Sequence, residues 1–479
     1  MTSPRYIAGV VWSVVNAGAG VVLPLVTFTV FAHVVPPILI GFVAIAIACT
    51  EILKTAGLQG LYEALLQQPM DDRRCHETAC FVSLVAGAAL VLLYMGVLAG
   101  LGWIIPDIGQ HYGVLAFVGL RILTDLATMQ PQAALALRLS YRMLALRSVI
   151  ANVIAGAAGI TVVMLGDGMV GLVVYQVGQS IIIFLATVVG TGALARPRFD
   201  RESFRRMVPE AGLSTCVRFI AATVNNLDQI LISALVGGVS VAYFNLGKRI
   251  EATFITMINS LVGILFQPMF ARRHHDAGDE VLRRSAAVST LVCGVPAVIF
   301  FVGSLPIVQV VFGPQWVNAA PVAAVLALSG FARAIGFVPG ALMSVSGHNR
   351  ELLITSAVSA VSGAALVGGL ASFGIVWCAA ALAVKNAAIV CWMVWWLEGQ
   401  IREPIKIYLW TLIAPFSLML CGVEVGHWIV GPGPVGESPM MQLWRLAVSL
   451  VPGAIVTVAW FSLFFRAEVR GYYATLRQR

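Results

Sequence analysis

Charge is scarce in this chain. Only 11% of its 479 residues are Asp, Glu, Lys or Arg, against 59% hydrophobic, and the mean hydropathy is +0.91. So little charge excludes a soluble globular domain and places the chain among polytopic membrane proteins. Also missing is the run of short alternating segments that a transmembrane β-barrel needs. The apolar stretches are long, continuous and rich in Leu, Ala and Gly, so helices are the spanning element. No disulfide framework or CxxC spacing is present. The eight cysteines, Cys49, Cys75, Cys80, Cys216, Cys293, Cys378, Cys391 and Cys421, mostly lie inside apolar runs, where cysteine acts as a small hydrophobe. The first apolar run, behind Arg5, is too long for the core of a signal peptide and is expected to be an uncleaved first helix.

Apolar windows, read against Gly, Pro and charge, predict fourteen transmembrane helices near 8–32, 38–57, 78–103, 112–136, 147–165, 170–194, 213–236, 241–267, 286–311, 318–344, 351–372, 374–397, 407–429 and 441–465. Basic residues fix the expected orientation. One set of alternate connections and the termini holds 22 of the 30 Lys and Arg, and the other set holds none. Both termini are therefore expected to be cytoplasmic. The net charge of +8 is then mostly topological and calls for no nucleic acid.

The internal boundary with the clearest signal is 195–212, ARPRFDRESFRRMVPEAG, where arginines alternate with Phe199, Phe204 and Met207 as in an interfacial amphipathic helix. It divides the chain into an N-lobe over 1–194 with six helices, a linker over 195–212, a C-lobe over 213–397 with six more, and two final helices with a tail over 398–479. The fourth and tenth helices each carry a mid-helix arginine, Arg121 or Arg333, followed by Pro131 or Pro339. That suggests a weak six-plus-six repeat, an arrangement that places substrate sites between repeats.

Within 213–273 five formal charges, Arg218, Asp228, Lys248, Arg249 and Glu251, stand beside Asn225, Asn226 and Gln229. An ionisable group at membrane depth costs about 3 kcal/mol or more, so each needs a partner or water. At about 100° per residue, Ser214, Arg218, Asn225 and Gln229 share one helix face, read as a polar cavity wall. Asn16, with Pro24, adds a polar, kinked segment in the first helix, for which a simple packing kink is an equal explanation. Spacing on one face pairs Glu51 with Lys54 and Arg121 with Asp125; a hairpin brings Asp228 level with Lys248, Arg249 and Glu251, and another sets Glu424 opposite Arg445. Arg218, Arg333, Lys385 and one of Lys248 or Arg249 are left without an acidic partner, with snorkelling to the nearby interface an alternative for Arg218. The cavity is then net cationic and suited to phosphate or carboxylate.

Other patterns carry nothing. Gly166–Gly171 matches GxGxxG but sits in a short turn between two helices, and Gly247-Lys248 lacks the Walker A spacing. Cys75, His76 and Cys80, and His274, His275 and Asp276, are isolated clusters without a second half, so neither a metal nor another cofactor is expected. Gly96 and Gly100 form a GxxxG pair, a signal of close helix packing.

The segment DQILISALVGGVSVAYFNLGKRI, Asp228 to Ile250, and its continuation to FQPMFARR resemble the opening of the second half in bacterial polysaccharide exporters of the multidrug/oligosaccharidyl-lipid/polysaccharide superfamily. MQPQAALALRLSYRMLALRSVI, Met129 to Ile150, looks like the same family's link from helix four to helix five. The resemblance implies an all-α integral membrane protein with two six-helix lobes in a V shape around a central cavity and two added helices. It implies a non-enzymatic flippase in the bacterial inner membrane, moving polyprenyl-pyrophosphate-linked oligosaccharide by alternating access for exopolysaccharide, capsule or O-antigen synthesis. Its implied partners are membrane lipids and the polysaccharide polymerase and export machinery, with proton or sodium coupling through Asp125, Asp228 or Glu251. The cationic set, Arg121, Arg218, Lys248, Arg249, Arg333 and Lys385, suits a pyrophosphate. Two other readings stand beside this one. A multidrug exporter of the same fold should show unpaired carboxylates in its first half. A membrane-embedded glycan polymerase or ligase needs a sizeable extracytoplasmic loop, and the longest here, about 430–440, has only Glu437.

Overall fold

The computed structural model describes residues 18, 20, 22–57, 60–68, 72–138, 140–192, 195–261, 287, 289–401, 405–431 and 438–477. The described chain is helical, with no strand among these residues. In order the main helices are α1 (Val22–Val34), α2 (Pro37–Ala56), α3 (Leu61–Leu66), α4 (Arg73–Ile104), α5 (Leu120–Leu137), α6 (Tyr141–Met164), α7 (Gly168–Thr191), α8 (Arg201–Val236), α9 (Gly238–Leu261), α10 (Val295–Phe312), α11 (Ala320–Val345), α12 (Asn349–Leu370), α13 (Ile375–Ile401), α14 (Ile405–Val430) and α15 (Pro439–Arg477). Twelve described helical spans are long and apolar enough to cross a membrane. Two of the fourteen expected are not among them. The described apolar part of α1 is only Val22–Val34, and α9, which carries Lys248, Arg249 and Glu251, is a 24-residue helix outside the twelve.

Local chemistry sets the breaks. Asp72 caps α4 by accepting the Cys75 amide at 3.2 Å, Asp167 caps α7 through Val170 at 3.1 Å, and Asp200 caps α8 through Ser203 at 2.9 Å. The Ser203 hydroxyl and amide hold the Asp200 carboxyl below its ordinary range, and the Cys75 thiol does the same at Asp72. The GxGxxG look-alike is a turn: Gly166 takes φ +104°, a left-handed conformation that glycine tolerates, just before the Asp167 cap.

The stretch 195–212 is less a linker than the foot of a helix. From Arg201 it is helical without a break into α8, 36 residues or about 54 Å at 1.5 Å per residue. Met207, expected at a lipid interface, is fully buried, with Ala211, against Leu61, Leu65, Cys75, Ala79 and Ala133. Phe199 meets Phe81 and Phe204 at ring-centroid distances of 5.8 and 5.5 Å.

By packing the chain forms two compact units. Unit 1 comprises 1–246 with 353–382, and unit 2 comprises 247–352 with 383–479. In unit 2 the α14–α15 hairpin closes through small residues: a Cβ added at Gly422 would lie 2.4 Å from Gly453 Cα, and one at Gly426 would lie 2.0 Å from the Ser449 carbonyl oxygen. Gly96 and Gly100, the pair expected to pack closely, instead face open space, with nothing within 4 Å of an added Cβ. The spacing was right but the helix was wrong, because which glycines meet a neighbour depends on helix rotation. Gly426→Val is expected to lose folded, monodisperse protein in detergent, at a cost of about 1–3 kcal/mol or more from overpacking. Gly96→Val should elute and melt as wild type; equal behaviour of the two variants would refute this packing.

Candidate functional site

Unit 1 holds a cluster of four ionisable side chains from two helices. α2 places Glu51 and Lys54 three residues apart, and α5 presents Arg121 and Asp125 from the facing side. Lys54 Nζ lies 2.7 Å from Glu51 Oε1 and 3.1 Å from Asp125 Oδ2. Arg121 Nη2 lies 3.1 Å from Glu51 Oε1. The Glu51–Lys54 pairing follows the sequence expectation, whereas the expected Arg121–Asp125 pair is replaced by a crossed arrangement in which each takes its partner from α2. An i,i+4 spacing permits a pair within one helix. A second charged helix offered both residues shorter geometry. From α7, Ser180 donates to Asp125 and sits 2.6 Å from the Thr124 hydroxyl.

Beside this cluster opens a cavity of about 240 Å³, lined by Lys54, Tyr62, Asp125, Thr128, Gln132 and Arg218, among others. Arg218, expected to stand without an acid, pairs with Glu63 of α3. Its guanidinium remains about half exposed, at 46%. Glu63 was invisible to the spacing argument because it lies in a short connecting helix 155 residues away in sequence. Arg147, counted above only as an orientation charge, donates from Nη1 to Thr187 Oγ1 at 2.7 Å and is partly buried. Of the polar wall, Gln229 is buried and accepts from Asn245 Nδ2 at 3.0 Å, while Asn225 is half-buried. Buried Asp228 accepts the Gln229 amide at 2.9 Å. Asn16 lies outside the described residues, as do His274, His275 and Asp276.

Unit 2 carries a second cluster, built on close approach of α9 and α11. A Cβ at Gly247 would lie 3.3 Å from Ala323 Cα, and one at Gly330 would lie 3.1 Å from Glu251 Cα, so two glycines let the backbones come together there. The carboxylate of Glu251, whose side chain is only 3% exposed, is the hub. Its Oε1 accepts from Ser329 Oγ at 3.0 Å and lies 3.4 Å from Arg333 Nη1. Its Oε2 lies 3.5 Å from Lys248 Nζ. Asn386 of α13 donates to Ser329 Oγ at 2.8 Å. Arg333, also expected to lack an acid, therefore shares one with Lys248. Arg249 and Lys385 are half-buried on α9 and α13. In the last hairpin Arg445 donates to the carbonyls of Val430 and Gly431 at 3.4 Å each, and Glu424 is on an exposed face.

Each cluster draws on three helices. Taken in the order of the expected spans, the second, fourth and sixth supply Glu51 with Lys54, Arg121 with Asp125, and Ser180. The eighth, tenth and twelfth supply Lys248 with Glu251, Ser329 with Arg333, and Asn386. Ser180, Ser329 and Asn386 escaped the sequence reading, since a lone hydroxyl or amide in an apolar run raises no flag until a charge is placed beside it.

Comparison with known proteins adds family and fold. The chain is 24% identical over 271 residues to the teichuronic acid biosynthesis protein TuaB of Bacillus subtilis (strain 168), covering 54% of this chain and 53% of that one. It is 24% identical over 333 residues to the succinoglycan biosynthesis transport protein ExoT of Rhizobium meliloti (strain 1021), covering 66% and 65%. The chain thus spans from about half to just under two thirds of the curated relatives it matches. Among solved structures, lipid II flippase MurJ in an inward closed conformation superposes with a TM-score of 0.76 at 13% identity over 96% of this chain and 99% of that one. A MOP superfamily transporter from Pyrococcus furiosus Vc1 (DSM3638) gives 0.56 at 12% identity over 83% and 95%. At these identities the likeness is one of fold, and that fold is the one seen across MOP superfamily transporters. Residues 30–321, more than half of the chain, match the family described as polysaccharide biosynthesis protein, and the chain belongs to that family.

Proposed function

We propose that the protein is a flippase for lipid-linked sugar. In this reading it carries polyprenyl-pyrophosphate-linked oligosaccharide to the outer face of a bacterial inner membrane by alternating access, as a step in exopolysaccharide, capsule or O-antigen synthesis. The observation that carries the reading is the Glu251 cluster, in which two cations, Lys248 and Arg333, both approach one buried carboxylate. A site of that kind has positive charge to offer a diphosphate, and low dielectric strengthens the attraction. Family membership and the MurJ-like fold support the same substrate class. Both curated relatives are named for glycan biosynthesis, one as a transport protein.

The further parts of the reading are the fourteen spans with cytoplasmic termini and the lobe boundaries 1–194 and 213–397. Arg121, Arg218, Arg249 and Lys385 complete the anion-binding set, and Asn225 and Gln229 serve as cavity wall. Coupling to protons or sodium runs through Asp125, Asp228 or Glu251, and polymerase and export proteins receive the product. An exporter of cationic drugs fits less well, because the two carboxylates of the unit 1 cluster each have a base within 3.1 Å.

Cells deleted for the gene are expected to accumulate polyprenyl-pyrophosphate oligosaccharide on the cytoplasmic face, measured with a membrane-impermeant glycan-modifying reagent. Wild type should relieve the build-up and Arg333→Gln should not; sensitivity to cationic drugs without any accumulated intermediate would sink the reading.

The unit 1 cluster serves in this reading as a brace as well as a wall, because its two acids and two bases balance. Removing one member leaves an uncompensated buried charge, which costs on the order of 3 kcal/mol or more. Glu51→Gln is therefore expected to lower the melting temperature in detergent well below that of Glu63→Gln. The latter breaks a more exposed pair that contributes about 1 kcal/mol or less. Equal melting temperatures would contradict the brace.

A further inference from the structure

Resting on the flippase reading, we propose that Glu251 is a resident counter-ion that the substrate's diphosphate displaces from Lys248 and Arg333, while Ser329 and Asn386 retain the freed carboxylate. Distances carry the argument. Charge-assisted N–H···O contacts normally settle at about 2.7–2.9 Å, and the unit 1 pairs come near that, at 2.7, 3.1 and 3.1 Å. Around Glu251 the order is inverted. The two cations stand off at 3.4 and 3.5 Å, whereas the neutral chain is tight, with Ser329 at 3.0 Å from the carboxylate and Asn386 at 2.8 Å from Ser329. The carboxylate is thus anchored by the Ser329 hydroxyl, itself held by the Asn386 amide, and the cations stand farther off.

Exposure points the same way. Glu251 is 3% exposed, but the Arg333 side chain is 28% exposed, so of the pair it is the cation that an incoming anion reaches first. A carboxylate and a phosphate make the same kind of contact with a guanidinium, and the phosphate carries more charge. Exchange therefore keeps an anion beside Lys248 and Arg333 throughout, and the displaced carboxylate, buried beside the newcomer, opposes tight binding. After release the carboxylate, still held by Ser329, takes the cations back. The counter-ion thereby keeps the empty site stable and keeps affinity low enough for turnover.

The role predicts a split between affinity and transport that a merely structural acid would not show. The probe is inorganic pyrophosphate titrated calorimetrically into the purified full chain in nanodiscs, with flipping scored by relief of the accumulated intermediate. Glu251→Gln, which keeps the hydrogen bond to Ser329 but removes the charge, is expected to bind pyrophosphate about tenfold or more tighter than wild type and to relieve accumulation less well. Glu251→Asp, which draws the charge back by one methylene, should shift affinity in the same direction by a smaller factor and covers the case in which the glutamine variant does not fold. Unchanged or weaker binding in the variants overturns the counter-ion role. So does an absence of pyrophosphate binding in wild type and both variants alike. Arg333→Gln separates the two levels: retention of wild-type pyrophosphate binding there removes the cationic site itself, whereas loss of binding there with no gain in the Glu251 variants removes only the counter-ion.

Discussion

An ion inside apolar surroundings must be matched, and the interior of this protein is arranged around that constraint. Moving a charge out of water carries a penalty of several kcal/mol even after relaxation, recovered only where a partner of opposite sign and further hydrogen bonds meet it. Among the described residues, Lys54 and Arg121 accordingly meet at Glu51, and Lys248 and Arg333 at Glu251. Helix packing serves the same end. Gly247 and Gly330 let α9 and α11 come close enough for Arg333 to reach Glu251, and the facing of α2 and α5 allows Lys54 and Arg121 to cross to each other's acids.

The two clusters resemble each other in parts and differ in balance. Each draws a charged pair, a charged partner and a hydroxyl or amide from three helices of its unit. In unit 1 the signs balance and the contacts are short, which suits rigidity. In unit 2 one carboxylate serves two cations at longer range, and a Ser329–Asn386 chain stands behind it. Function on a shared fold resides in such local differences. A likeness to MurJ or to other MOP superfamily structures therefore bears on architecture, while the arrangement around Glu251 bears on chemistry.

The foot of α8 follows the same logic. Met207, whose pattern with Phe199 and Phe204 reads as an interfacial stripe, is buried with Ala211 on α3 and the start of α4. Arg206 meanwhile reaches Glu202 at 2.8 Å and Asp72 at 3.9 Å. An amphipathic face covers whichever apolar surface is nearest, and here that surface belongs to the protein.

Periodicity, composition and charge asymmetry were sufficient to read an all-helical membrane protein, nearly all of its spans and the charged residues on which its interior turns, because bilayer thickness and the cost of buried charge act on segments one at a time. The Glu51–Lys54 pair was legible for the same reason, being local to one turn of helix. Partners across helices were not. Glu63 for Arg218, Glu251 for Arg333, the crossed pairs of Arg121 and Asp125, and the second rank of Ser180, Ser329 and Asn386 all depend on how each helix is rotated about its axis and which neighbour it meets. A 100° turn per residue lets the same sequence offer a side chain to lipid, to cavity or to a partner, and only packing selects among them; for that reason Gly96 and Gly100 face open space while Gly422 and Gly426 hold a hairpin together.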